Sequence, residues 1–173
     1  MNKAVLIVLL GCTAQVAFAQ DSVPSDAELR SAYCIPVLQW AVKGARDIAD
    51  SIDGYWRQNP PTSEFAQQVA RTRADARKSV SDEESVLNRL QAYLLPRMER
   101  LDPVALTLAM KRGEADLREF ESVSNQCTKQ CGVTVDTPSR DEKSNACLET
   151  CRDKDKALVE RVRACNAPTW LPF

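Results

Sequence analysis

Cys127-Thr-Lys-Gln-Cys131 and, after fifteen intervening residues, Cys147-Leu-Glu-Thr-Cys151 decide how this chain folds. A four-residue step places two thiols one above the other on one face of an α-helix. Two such helices joined by a short linker run antiparallel, so the thiols meet as two rungs. Antiparallel pairing matches the two thiols nearest the linker to each other and the two farthest from it to each other. The expected bonds are Cys131–Cys147 and Cys127–Cys151.

The pattern extends outward from this stretch. Asp102-Pro103 is a helix start, a capping carboxylate followed by proline at the first helical position. From there Leu106, Met110, Gly113, Leu117, Phe120, Ser124, Cys127 and Cys131 keep a four-three rhythm, the signature of one helical face. Gly132 suits the C-terminal cap. After a linker over 133–138, Ser139-Arg140-Asp141-Glu142 reads as a capping box. A further helix then carries Cys147, Cys151, Leu158, Val162 and Cys165 on its inner face. Cys34 and Cys165 remain for each other. Cys165 lies fourteen residues beyond Cys151, about 21 Å along a helix axis. The same distance back from Cys127 reaches Gly113, so Cys34 is expected to cross there, where a missing side chain permits close approach.

Toward the N-terminus, Ser25-Asp26-Ala27-Glu28 is another capping box. It opens a helix whose stripe is Cys34, Leu38, Ala41, Ala45, Ile48, Ile52 and Tyr55, widened by Val37, Trp40 and Gly44. Tyr33, Trp40 and Tyr55 are read as core, and Trp56 as partly exposed. Pro36 is expected to bend or restart this helix, and Asn59-Pro60-Pro61 to end it. A second helix spans about 63–95, with a candidate break at Ser81-Asp82-Glu83-Glu84. The fold class is all-α: an irregular four- to five-helix bundle with a disulfide-stapled C-terminal helical hairpin over 103–165. A non-helical tail follows over 166–173.

Met1-Asn2-Lys3, the apolar run Ala4 to Leu10 and the exit Ala17-Phe18-Ala19 have the layout of a secretory signal peptide cleaved after Ala19. The expected product is one helical domain over 20–173, periplasmic or extracellular, with no membrane span. Leu9-Leu10-Gly11-Cys12 resembles a lipobox, so lipid anchoring at Cys12 is the alternative. Of seven cysteines, cleavage removes Cys12 and leaves six, a number that pairs fully.

The twin C-x-x-x-C pair over Cys127 to Cys151 resembles the α-hairpinin motif, and the small Tim chaperones of the mitochondrial intermembrane space use a similar arrangement. The resemblance covers this local motif and no whole-chain family. It implies a stapled helical hairpin. α-Hairpinins include inhibitors, toxins and storage proteins, so no single activity is implied. The export signal and three further helical segments depart from the small Tim pattern, and a chaperone role does not carry over from it.

With 23 basic and 24 acidic residues the net charge is −1, which gives no reason to expect nucleic acid as a partner. No histidine is present, which removes the commonest general base and the usual zinc ligand. A four-thiolate metal site is the rival reading of the cysteines. Export to an oxidising compartment favours disulfides, so no metal and no cofactor are expected. Paired cysteines leave no thiolate nucleophile.

Carboxylate chemistry remains. Asp82, Glu83 and Glu84 are its densest group, although such runs are usually solvated helix faces. No catalytic residue is assigned. The expected function is a non-catalytic binding module for another protein: an inhibitor, an immunity-type protein or an envelope accessory factor. A carboxylate-dependent hydrolase of cell-wall or other glycans and a chaperone-like carrier are the alternatives. The expected partner surface comprises Arg71, Arg73, Arg77, Lys78, Trp56 and Trp170, with the Trp170 tail either docked or presented.

Overall fold

The computed structural model describes residues 22–133, 142–166 and 169. Helices α1 (Asp26–Gln58), α2 (Ala66–Leu94), α3 (Pro103–Gln130), α4 (Glu142–Arg152) and α5 (Lys156–Arg163) follow in order. Two 3-10 turns, Leu95–Arg100 and Asp153–Asp155, join α2 to α3 and α4 to α5. Among the described residues the only extended pairing is an isolated bridge, in which the Ser22 N–H donates to the Arg100 carbonyl at 2.9 Å. The molecule is an all-α bundle with a disulfide-stapled C-terminal hairpin.

Local chemistry sets the helix ends. At Ser25 the capping box closes in both directions: the Glu28 N–H donates to the Ser25 hydroxyl, and the Ser25 N–H donates to the Glu28 carboxylate. Asp102 caps α3 by accepting from the Val104 N–H at 2.8 Å, with Pro103 at the first helical position. At the other end of α3, Gly132 takes φ 64°, the left-handed conformation that glycine adopts without a Cβ penalty. There the Val133 N–H donates to Thr128 and the Gly132 N–H to Lys129, which is the Schellman arrangement. The expected cap over Ser139–Asp141 lies outside the described residues.

Three expectations need correction. Pro36 does not restart α1, which runs as one helix; the proline sits where α1 meets Gly113 of α3. Helix α2 shows no break at Ser81–Glu84, because one intact helix can face α1 along its whole length. The segment after Ser139 is two helices rather than one, since Asp153–Asp155 tightens into a 3-10 turn.

Helices α1 and α2 pair antiparallel from Leu38 with Leu90 to Asp53 with Arg77. Helix α3 lies along the first half of α1 and runs parallel to it: Gly113 meets Tyr33 and Pro36, and Phe120 meets Trp40. The α4–α5 segment returns along α3. The main core joins Cys34, Val37, Leu38 and Leu90 to Leu158, Val162 and Cys165. A second cluster gathers Ala32, Ile35, Leu94, Leu101 and Leu106, and a third holds Cys127, Val133 and Leu148. Each fully buried leucine or valine contributes about 1.5–3 kcal/mol of transfer free energy.

Three disulfides cross-link this arrangement: Cys34–Cys165, Cys127–Cys151 and Cys131–Cys147, with Cα separations of 5.3, 5.7 and 5.8 Å. They are the three pairs read from the spacing. The α1–α3 crossing also falls at Gly113, where a Cβ would overlap the Tyr33 carbonyl oxygen.

Candidate partner-binding surface

The two halves of α1 differ sharply. Cys34, Val37, Leu38 and Val42 are buried, but between residues 43 and 85 only Val69 is. Along this outer half, Ile48 is 61 % exposed and Tyr55 57 %, while Phe65 at the start of α2 is 52 % exposed. Ile48 and Tyr55 are seven residues apart and share one helical face. Gly44, beside them, has open space where a side chain would stand. The reading of Trp40 and Tyr55 as core is therefore corrected. Trp40 packs edge-on against Phe120 yet stays 40 % exposed, and its indole N–H donates to Glu121 at 2.6 Å. Tyr55 stacks edge-on against the half-buried Trp56, with ring centroids 4.9 Å apart.

Ion pairs bridge the two helices along this outer half. Arg73 and Arg77 both reach Asp53 of α1, at 3.0 and 2.8 Å, and Arg46 of α1 pairs with Glu84 of α2. The Arg77 hydrogen bond is the chief influence holding the Asp53 carboxyl below the usual range. Beside these pairs a cleft of about 300 Å³ opens between the helices, lined by Arg46, Asp50, Asp53, Arg77, Ser81 and Glu84.

The five described members of the expected surface do not form one patch. Arg73 and Arg77 reach across to Asp53, and Arg77 stays exposed. Lys78 pairs with Asp82 one turn along α2. Arg71 is exposed, and its seven-residue spacing from Lys78 puts the two on one face of α2. Trp56 stands across on α1, and Trp170 lies outside the described residues. The sequence reading missed Asp53, whose isolated carboxylate carries no local signal of partners 20 and 24 residues away.

Two members of the acidic run are engaged, Asp82 by Lys78 and Glu84 by Arg46. Glu83 is different. Its Oε2 is buried without a hydrogen-bond partner, and desolvation first, then the Asp82 charge, raises its carboxyl above the ordinary value. Among the described residues no group of three or more His, Cys, Asp or Glu could hold a metal ion, and no helix is long and apolar enough to cross a membrane.

A second polar cluster lies at the base of the bundle. Asp116 of α3, 8 % exposed, accepts from the Tyr33 hydroxyl at 3.0 Å and from Arg161 Nε at 2.9 Å. This ties α1, α3 and α5 together one helical turn from the Cys34–Cys165 bond. Burial, reinforced by Asp116, pushes the Tyr33 phenol up to about 12. The cluster is fully engaged within the fold. Compared with protein-family models, with curated proteins and with solved structures, the chain matches none of them.

Proposed function

We propose that this chain is a non-catalytic, exported helical module that binds another protein through the outer half of its α1–α2 hairpin. The carrying observation is the uncovered apolar row of Ile48 and Tyr55 on α1, on a stretch where ion pairs bridge to α2. Contiguous exposed apolar surface rimmed by polar residues marks interaction sites. A braced scaffold presents such a row preformed, which lowers the ordering cost of association. Three disulfides fit an oxidising compartment, in keeping with the leader at Met1–Ala19. An inhibitor, an immunity-type protein or an envelope accessory factor would each use such a surface.

The test is crosslinking from a photoreactive residue at position 55, with one at exposed Leu108 of α3 as control, in the native exported milieu. The expected result is one discrete adduct from position 55, absent from position 108 and lost in Ile48→Asp. Equal adducts from both sites, or none, would contradict the proposal.

The desolvated Glu83 carboxyl favours one second reading, a carboxylate-dependent glycan hydrolase using a raised general acid. Glycan hydrolysis by the purified protein that disappears in Glu83→Gln would establish that reading in place of the first.

A further inference from the structure

The three disulfides are not equally placed for chemistry. Cys34 and Cys165 are 3 % and 0 % exposed and lie in the main core. In the inner rung of the hairpin, Cys127 is 1 % exposed and packs with Val133 and Leu148, and Cys151 is half-buried with its Sγ 3.4 Å from the Gln130 side-chain oxygen. The outer rung is open by comparison. Cys147 is exposed on α4, and Cys131 is half-buried at the C-cap of α3, one residue past the last helical position. Lys143, also exposed, stands one helical turn before Cys147 on the same face, where its charge favours an approaching thiolate.

We propose that Cys131–Cys147 is a thiol–disulfide exchange site for dithiol reductants, while the other two bonds stay closed in the folded protein. Exchange requires a thiolate to reach a disulfide sulfur, so access ranks bonds of similar chemistry. A dithiol thiolate attacks Cys147 Sγ; a mixed disulfide forms there, and Cys131 leaves as a thiolate and takes up a proton. The second thiolate of the reductant then attacks its own bonded sulfur and releases Cys147. The reductant ends as a cyclic disulfide, and its two electrons reside in two protein thiols. The inner rung and the Gly132 cap remain, so the hairpin keeps its helices. This assignment is independent of the partner surface on α1 and α2.

The test uses the full chain, folded, at neutral pH in increasing dithiothreitol, quenched with an alkylating agent and mapped by mass spectrometry. Cys131 and Cys147 should be labelled at least tenfold faster than Cys34 and Cys165, and before Cys127 and Cys151, with helical circular dichroism unchanged. In Cys131→Ala/Cys147→Ala, the reductant level that opens the outer rung should label nothing. Simultaneous labelling of all six cysteines, earlier labelling of Cys127 and Cys151, or unabated labelling in the double variant would overturn the proposal. The wild-type labelling order decides the matter even if the double variant fails to fold.

Discussion

Asp116 shows how much one side chain can organise. It is buried in α3 and accepts hydrogen bonds from Tyr33 of α1 and Arg161 of α5. Removing it takes the acceptor from the half-buried Tyr33 hydroxyl, so Asp116→Ala should cost about 1–3 kcal/mol in denaturant unfolding. Tyr33 gives the same cluster a pH signature. A phenol raised to about 12 means that folding favours the protonated form. Its contribution is therefore complete below pH 10 and is lost as pH rises from about 10 to 12. Tyrosinate absorbance should show one late titration, removed in Tyr33→Phe; coincident titration of all tyrosines would contradict the assignment. Gly113 is the complementary case, a position defined by what is missing. Gly113→Ala would force apart α1 and α3 at the Tyr33 carbonyl and should cost roughly 1–3 kcal/mol or more. The glycine was legible in the sequence because register arithmetic along one helical face led to it. The Tyr33–Asp116 bond was not, since nothing local joins residues 83 positions apart.

At the scale of elements, the caps at Ser25, Asp102 and Gly132 were legible because each is written in two to four adjacent residues. The fate of the α1 stripe was not. Val37 lies five helical turns before Tyr55 at the same angle on α1 and is buried, so the face is the same and the covering differs: α3 lies along only the first half of the helix. Leu38→Ala should therefore cost about 2–5 kcal/mol, as in other buried leucine deletions. Ile48→Ser with Tyr55→Ser should change stability by no more than about 0.5 kcal/mol per site while removing partner capture. A thermal melt of both variants separates these outcomes; an equal loss of stability would mean that the outer half of α1 is core after all. The four cations expected on the partner surface divide between two faces of α2. Arg73 and Arg77 lie on the face of α2 that meets α1, opposite Arg71 and Lys78, and linear proximity hid that division.

Across the whole molecule the cross-links set which ends of the fold stay together. Cys34–Cys165 spans 131 residues and ties the first helix to the last. On the chain-entropy model it stabilises by about 4–5 kcal/mol, against about 3 kcal/mol for Cys131–Cys147 with its separation of 16. The pairing was readable because helical spacing allows few ways for six thiols to meet on facing rods. The most direct test is a non-reducing peptide map of the natively isolated protein. Cleavage after Lys129 separates Cys127 from Cys131 and cleavage after Glu149 separates Cys147 from Cys151, so every bond can be identified. The account predicts three linked peptide pairs, 34 with 165, 127 with 151 and 131 with 147, and no bound metal. Free thiols at these six positions, a different pairing or stoichiometric zinc would contradict it.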